Sequence, residues 1–395
     1  MRRLLIIGAS ALQVPAIKTA KRMGLHVAVA DYNPDAVGIK YADEYYNAST
    51  IDPEAVYHAA KDFKADGIMT LATDMPMRSL AYACERLGLP GLSQDSALKA
   101  TDKGEMIRAF ERAGIHHPEY FVVNCRDEFD EMRGSFPYPL IIKPTDNAGS
   151  RGVILVEYPD QLEKAYEYSA RNGRSGAVIV EEYMVGPEVS VEIIVLNGVP
   201  HVLQVTDKLT TGAPHFVEMG HSQPSMLDLP ILDRIRDLAS RAALSVGICD
   251  GPAHAEIIVT EDGPKMVEIG ARLGGDCITT HLVPLSTGID MVELVIRIAL
   301  GERPNIPNKV QQGSAIRYLE VSSGTVTSVS GLEEALAVPG IVEIRVDVCE
   351  GEEVGNMTSS VSRAGYVIAQ AADAQGAVAI CEEARRNMSV NIESL

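Results

Sequence analysis

The sequence predicts a mixed α/β and α+β protein, and three observations carry this prediction. Short apolar strands alternate with helices over the first quarter of the chain, which is typical of a doubly wound parallel sheet. Longer strands joined by tight turns follow in the centre, where Asn197-Gly198 is the strongest hairpin signal. The 395 residues suffice for two or three domains of about 150 residues each.

The first part of the chain predicts βαβ units. The run Leu4–Ile7 is fully apolar, as in a buried parallel strand, and Val27–Ala30 repeats it after a helix that ends at Gly24. A third strand is expected over Gly67–Leu71. Beyond it, a single helix is predicted over Ser96–Ala113.

Composition excludes several classes of function. The formal net charge is −19, and hydrophobic residues make up 46% of the chain. An acidic protein of this kind lacks the basic surface that binds nucleic acid or an anionic membrane. No apolar run reaches the length of about 18 residues that a membrane helix needs. The six cysteines are scattered singly, which favours a reduced, cytoplasmic protein.

The most informative pair is Glu256 and Glu268, one on each arm of a predicted hairpin. A turn that is symmetric about Asp262 places the two directly opposite each other on one face of the sheet. Opposed carboxylates repel, so the pair needs a cation or a proton. Oxygen ligands with no His or Cys close by favour Mg²⁺ shared with phosphates.

The strand period of two places Gly270 and Arg272 on the same face as Glu268. A guanidinium beside such a site suits an anionic or developing negative group. The alternative is a solvent-facing hairpin that carries unrelated acids.

Two further segments gain meaning only from their order. Lys143 ends a strand and precedes the glycine-containing loop Thr145–Gly152, whose backbone N–H groups could approach phosphates. The segment Val180–Glu188 ends a strand with two acids and turns at Gly186-Pro187. Each segment by itself is equally consistent with an ordinary turn, and Lys103 by itself with a surface charge.

Taken in order, Lys103, Lys143 with its loop, the Glu181–Met184 turn, Glu188 and the Glu256/Glu268 pair resemble the ATP-grasp superfamily. The spacing is similar to its carbamoyl-phosphate synthetase, biotin carboxylase and amino-acid ligase branch, and it covers nearly the whole chain. The resemblance implies an N-terminal doubly wound domain with a linker helix over 1–118 and a small lid subdomain over 119–182. It further implies a catalytic subdomain over 183–309 and a biotin-carboxylase-like, antiparallel C-terminal segment over 310–395.

The resemblance also implies roles for individual residues. Glu256 and Glu268 would hold Mg²⁺, for which Mn²⁺ can substitute. The residues expected to bind ATP are Lys103, Lys143, Asn147, Gly149, Ser150, Arg151, Gly152, Glu181, Glu182, Met184 and Glu188. Those expected to contact the other substrates are Asp74, Glu218, His221, Arg272, Gly274 and Gly275.

Arg272 and Lys143 are expected to act in catalysis, and Asp276 is a candidate base. The family usually has Asn at the position of Gly270, as a further metal ligand, so a second metal site is expected to be weaker here.

These features imply an ATP- and Mg²⁺-dependent ligase that joins a small carboxylate, such as an amino acid, to an amine through an acyl phosphate. The alternatives are a purine-biosynthesis-type enzyme that activates formate or bicarbonate on a ribonucleotide, a carbamoyl-phosphate synthase-like enzyme, and a nucleotide-binding regulatory protein. A dehydrogenase is disfavoured because Gly8–Gln13 lacks the GxGxxG pattern. The expected partners are small molecules, with neither nucleic acid nor membrane, and related architectures imply a homodimer.

Overall fold

The computed structural model describes residues 1–147, 149 and 151–393. The N-terminal part is a parallel four-stranded sheet with the order β3-β2-β1-β4. Its strands are β1 (Arg3–Ile7), β2 (His26–Asp31), β3 (Glu44–Asn47) and β4 (Gly67–Met69). Its helices are α1 (Val14–Arg22), α2 (Pro53–Phe63), α3 (Met77–Leu87), α4 (Gln94–Lys99) and α5 (Lys103–Arg112).

Helices cover both faces of this sheet, as the sequence predicts. Leu4 and Ile6 point into a core shared with α1 and with a later helix, α10 (Met291–Ala299). Leu5 and Ile7 point into a second core against α2 and α3. A strand buried on both faces must be apolar at every position, which explains the continuous apolar run of β1.

The predicted helix over Ser96–Ala113 is wrong in one respect, because the chain breaks it into α4 and α5. The Asp102 side chain accepts a hydrogen bond from the backbone N–H of Glu105 and so caps the N-terminus of α5. An aspartate in this position offers the backbone an alternative to continuing the preceding helix. The break places Lys103 in the first turn of α5.

The second unit is an antiparallel four-stranded sheet with the order β5-β8-β6-β7. Its elements are β5 (Tyr120–Val123), α6 (Arg126–Met132), β6 (Leu140–Pro144), β7 (Ile154–Val156), α7 (Leu162–Asn172) and β8 (Val178–Glu182).

The largest sheet has eight strands in the order β13-β12-β9-β10-β11-β14-β18-β16. Its first five strands in chain order are β9 (Glu188–Leu196), β10 (Val199–Thr210), β11 (Glu218–Gln223), β12 (Gly251–Thr260) and β13 (Gly263–Gly270). Its last three are β14 (Gly313–Tyr318), β16 (Ile341–Val346) and β18 (Gly365–Ala371). The sheet is antiparallel throughout and runs across the predicted division at residue 310, because β14 pairs with β11. That division therefore runs through the largest sheet.

The remaining elements surround these sheets. A three-stranded sheet contains β15 (Gly324–Ser330), β17 (Glu353–Val354) and β19 (Ser389–Glu393). The other helices are α8 (Leu229–Ser245), α9 (Val283–Thr287), α11 (Leu332–Leu336) and α12 (Ala374–Asn387). Within the described ranges, no helix combines the length and the apolar character that crossing a membrane would require.

Candidate active site

Glu256 and Glu268 lie directly opposite each other in the β12–β13 hairpin, which confirms the predicted pairing. The route to this register differs from the expected one. The turn is centred between Glu261 and Asp262, because Thr260 pairs with Gly263. A β-bulge at Val267 then restores the opposition by adding one residue to β13.

The neighbouring strand explains how a polar surface forms on an apolar sheet. Along β9, Glu188, Ser190 and Glu192 alternate with buried valines, so the three polar side chains share one face. Ser190 lies opposite Glu256, and Glu192 lies opposite His254. The face that carries the acidic pair is therefore polar over at least three strands.

A cavity of about 180 Å³ lies between this face and the four-stranded sheet β5-β8-β6-β7. We call it the nucleotide cavity, because most of the residues expected to bind ATP line it. These are Lys103, Lys143, Asn147, Gly149, Arg151, Glu181, Glu182, Met184 and Glu188. Glu256 and Glu268 close its inner end. Ser150 lies outside the described residues.

Lys143 and Glu181 form a buried ion pair in this cavity. The Lys143 Nζ atom is 2.7 Å from Glu181 Oε2, and each side chain is 6% exposed. The two residues are diagonal neighbours in the β6–β8 pair, because Lys143 lies opposite Ile179 and Glu181 lies opposite Ile141. Glu181, expected to meet adenine through its backbone, thus also holds Lys143 with its carboxylate.

Lys103 connects the acidic pair to the loop after β6. Its Nζ atom lies 3.0 Å from Glu268 Oε2 and donates a hydrogen bond to the Asn147 carbonyl oxygen at 2.8 Å. Gly152 closes the loop with a φ of +82°, and a Cβ there would come within 2.7 Å of the Pro144 side chain. A glycine is therefore required at this close approach.

Lys208 is the residue that sequence reasoning missed. Its Nζ atom lies 2.7 Å from Glu188 Oε1, 2.9 Å from Glu256 Oε2 and 3.2 Å from Glu218 Oε1. Burial lowers the pKa of Lys208, but the three carboxylates outweigh this effect and raise it well above its usual value. The strand period of β10 was the available signal, because it places Lys208 on the face that carries Glu188.

A buried histidine also reaches the acidic pair, which corrects the expectation of no nearby His. The Nδ1 atom of His254 lies 2.5 Å from Glu192 Oε1, and its Nε2 atom lies 3.5 Å from Glu256 Oε1. Burial lowers the pKa of His254, but Glu192 and Glu256 together raise it to about 9. A Cβ at Gly274 would come within 2.6 Å of His254 Nδ1. Gly274, expected to contact substrate, therefore packs against this pair.

A second cavity of about 400 Å³ adjoins the first, and we call it the substrate cavity. The two share Gly149, Arg151, Glu218, Glu256 and Glu268 in their linings. A third cavity, of about 440 Å³, is larger still, but the residues that line it include only Arg272 from the site described here.

Arg272 and Asp74 form a two-point ion pair at the wall of the substrate cavity. Arg272 donates hydrogen bonds to both carboxylate oxygens of Asp74, at 3.0 and 2.9 Å. A Cβ at Gly270 would lie 2.8 Å from Asp74 Oδ1, so a larger residue would displace this pair. The glycine that replaces the expected Asn is thus explained by close packing.

A second arginine–aspartate pair lies across the same cavity. Arg363 donates hydrogen bonds to both carboxylate oxygens of Asp276, at 2.6 and 2.8 Å. Its guanidinium also stacks 3.5 Å from the centre of the Tyr318 ring. The sequence had placed Arg363 only in the C-terminal segment and had given it no role.

This pairing disfavours the predicted role of Asp276 as a base. Burial raises the pKa of Asp276, but the hydrogen bonds from Arg363 and His221 outweigh it and hold the pKa far below its usual range. Such a carboxylate accepts a proton poorly. His221, expected to contact substrate, is 1% exposed and lines neither cavity, and its Nε2 atom lies 3.5 Å from Asp276 Oδ2.

Glu218 and Gly275 line the substrate cavity as expected. Burial raises the pKa of the Glu218 carboxyl although Lys208 opposes this effect. Ser360 donates a hydrogen bond to Glu218 Oε2 at 3.4 Å, and Arg363 donates one to the Glu218 carbonyl oxygen at 3.0 Å. The C-terminal segment therefore completes the cavity wall.

The donor set fits a divalent metal ion that is shared with phosphates. Within the described ranges, no group of three or more His, Cys, Asp or Glu side chains is arranged to hold a metal by itself. Magnesium commonly takes one or two protein carboxylates and completes its shell with phosphates and water. Glu256 and Glu268 offer this number of carboxylates at the junction of the two cavities.

Comparison with known families identifies this arrangement. Residues 136–280 match the family model described as an ATP-grasp domain, and residues 317–393 match the L-amino acid ligase C-terminal domain 2. The chain therefore contains an ATP-grasp domain. Its relatives are ATP-grasp ligases that form C–N bonds, and the chain is a ligase of the same carboxylate–amine type. Enzymes of this superfamily use ATP together with a divalent metal ion.

Individual relatives span two branches. Alanine–anticapsin ligase of Bacillus subtilis is 27% identical over 76% of this chain and 68% of its own length. Formate-dependent phosphoribosylglycinamide formyltransferase of Dechloromonas aromatica is 28% identical over 85% of each chain. The crystal structure of L-amino acid ligase from Bacillus licheniformis shares the fold with a TM-score of 0.88 at 23% identity, covering 100% of this chain and 99% of that one.

Proposed function

We propose that this ATP-grasp ligase joins an amino acid, or a similar small carboxylate, to an amine through an acyl phosphate, with Mg²⁺ as its metal ion. One observation carries the choice of substrate. The segment that is similar to the amino-acid ligase C-terminal domain also supplies Ser360, which lines the substrate cavity, and Arg363, which binds the lining residue Asp276.

The chemistry proceeds in two transfers. A substrate carboxylate attacks the γ-phosphorus of ATP, which releases ADP and leaves an acyl phosphate. An amine then attacks the acyl carbon, loses a proton and expels phosphate. The reaction needs no side-chain nucleophile, because both steps depend on positioning and on stabilising negative charge.

The residues around the two cavities would divide this work. Lys143 would contact the phosphates from the nucleotide cavity, and Lys103 would hold the loop end near them. Arg272 would stabilise the negative charge that develops on the acyl phosphate and on the tetrahedral intermediate. The metal ion, held by Glu256 and Glu268, would neutralise phosphate charge.

The position of Arg272 supports this assignment. Its guanidinium is held by both oxygens of Asp74, so its orientation is fixed before substrate arrives. Burial lowers the pKa of Arg272, but Asp74 outweighs it and raises the pKa, so the charge is permanent.

A second candidate is a purine-type enzyme that activates formate or bicarbonate on a ribonucleotide. The similarity to the formyltransferase over 85% of the chain favours it. Such a substrate would carry a phosphate group, for which Arg363 would have to leave Asp276.

One screen separates these candidates. We would measure phosphate release from ATP and Mg²⁺ with pairs of amino acids, and separately with formate, bicarbonate and ribonucleotides. Release that requires two amino acids, with the condensed product identified by mass spectrometry, would support the amino-acid ligase. Release only with a one-carbon acid and a ribonucleotide would replace it with the purine-type candidate.

Two further expectations remain proposals: the domain divisions and the homodimer.

A further inference from the structure

Lys208 connects acids that are expected to have different tasks. Glu188 is expected to bind ATP, Glu256 to hold the metal ion, and Glu218 to contact the other substrates. All three carboxylates contact one ammonium group, whose side chain is 3% exposed. Each acid lies in a different strand, so the lysine ties together β9, β11 and β12.

Three carboxylates surround the ammonium group of Lys208, which donates hydrogen bonds to two of them. The acceptors are Glu188 at 2.7 Å and Glu256 at 2.9 Å, and Glu218 is an ion-pair partner at 3.2 Å. The N–H donor that Glu256 accepts is therefore freed only when Glu256 releases Lys208.

Glu256 is the acid of the three that is expected to bind metal. Its other oxygen faces His254 at 3.5 Å, and its partner across the hairpin, Glu268, is held by Lys103. A lysine ammonium group thus occupies each of the two acids expected to bind metal.

The volume of the nucleotide cavity is consistent with this arrangement. Ligand sites usually measure about 300–1,000 Å³, whereas this cavity measures about 180 Å³. Lys103, Lys143 and Lys208 all line it, each folded onto a carboxylate. Movement of these side chains would enlarge it.

We propose that Lys208 is a built-in counter-ion for Glu256, which the metal–nucleotide complex displaces. The released ammonium group keeps its contacts with Glu188 and Glu218 and gains one free N–H donor at the junction of the cavities. That donor lies where Glu256 accepts it in this structure, and Glu256 lines both cavities. Loading of the metal therefore produces a further catalytic cation. This inference rests on the proposed metal role of Glu256.

The test uses Mn²⁺ as the metal probe and needs no substrate. Free Mn²⁺ is measured by electron paramagnetic resonance during titration of Lys208→Met, with and without ADP. Without a competing ammonium group, Lys208→Met should bind Mn²⁺ about tenfold more tightly than the unaltered protein in the absence of ADP, because a cation beside the carboxylate is removed. The matched control is Lys21→Met, which removes a lysine bound to Asp43 at 2.5 Å in the N-terminal part. It should leave Mn²⁺ affinity unchanged.

A lysine that only supports the fold would give the opposite sign, because disordered carboxylates bind metal more weakly. Unchanged or weaker Mn²⁺ binding by a folded Lys208→Met protein would overturn the proposal. Phosphate release by Lys208→Met should also fall by about 100-fold, because the freed donor is lost.

Two further measurements keep the proposal testable. If Lys208→Met does not fold, crystals of the unaltered protein with Mn²⁺ and ADP decide the question. Lys208 should have left hydrogen-bonding distance of Glu256, and a retained contact would contradict us. Mn²⁺ binding unaffected by Glu256→Gln would remove the metal role and the inference with it. Failure of every substrate pair, with the Mn²⁺ results as expected, would refute only the proposed function.

Discussion

The nucleotide cavity and the substrate cavity use different cations. On the nucleotide side, Lys143 and Lys103 each contact one glutamate and Lys208 contacts three, with one oxygen from each acid. On the substrate side, Arg272 and Arg363 are each held by an aspartate through two parallel hydrogen bonds. A lysine ammonium group is a point charge on a flexible stem, whereas a guanidinium is a planar fork that fixes geometry.

This difference suggests a division of labour. Single lysine contacts can be exchanged for a phosphate or given up to a metal ion with little change in backbone. Two-point arginine pairs fix the shape of a pocket before the substrate arrives. We therefore expect the nucleotide side to rearrange on loading and the substrate side to stay in place.

The largest effect is expected where the two cavities meet. Glu268→Ala removes an acid shared by both, and phosphate release should fall by about 1,000-fold. The matched control is Glu261→Ala, an exposed acid in the turn of the same hairpin. It should retain full activity. A Glu268→Ala protein with unchanged turnover would contradict the metal assignment.

The next effect tests the arginine side directly. Arg272→Lys keeps the charge but loses the two-point contact with Asp74, so turnover should fall by about 100-fold. ADP affinity, measured by calorimetry, should not change, because Arg272 is not part of the nucleotide cavity lining. Full turnover by Arg272→Lys would contradict the distinction between lysine contacts in the nucleotide cavity and arginine pairs at the substrate cavity.

The lysine side should respond in the opposite manner. Lys143→Met should weaken ADP binding by about 10- to 100-fold, since one charged contact is worth about 1.5–3 kcal/mol. Lys143→Arg should recover part of that loss, because a point charge tolerates replacement. The KM for the second substrate should stay constant in both variants. A change confined to the KM for the second substrate would contradict the assignment of Lys143 to the nucleotide cavity.

Arg363→Met sharpens the comparison further. The variant should raise the KM of one substrate by about tenfold while ADP affinity is kept. Ser360→Ala, which removes a single 3.4 Å hydrogen bond to Glu218, should show a smaller shift in the same constant. Equal loss of ADP binding in Arg363→Met would indicate collapse of the sheet instead.

The smallest effect concerns pH. The pKa of His254 is raised from 6.5 to about 9 by Glu192 and Glu256, against the effect of burial. Because the pKa is higher in the folded than in the unfolded protein, protonation of His254 stabilises the fold. This contribution is complete below pH 6.5 and is lost as the pH rises through about 9. The stability difference between the unaltered protein and His254→Gln should therefore shrink between pH 7 and pH 10 in urea unfolding. His58→Gln, at an exposed histidine, serves as the control. A constant difference would contradict the pairing.

Local pattern determined much of this protein. The buried parallel strand at Leu4–Ile7, the hairpin that opposes Glu256 to Glu268, and the order of the lysines and acids were all readable from the sequence. Alternation and turn residues act over a few positions, so their consequences are local. The bulge at Val267 shows the limit, since the pairing was right although the turn was centred half a residue away from the expected position.

The tertiary structure decided what connects distant segments. Lys208 meets Glu256 across 48 positions, Arg363 meets Asp276 across 87, and Arg272 meets Asp74 across 198. No periodicity spans such separations, because these contacts depend on how strands are ordered in a sheet and how that sheet packs on its neighbours. The acids and cations were visible in the sequence, but only the fold determined which of them form ion pairs.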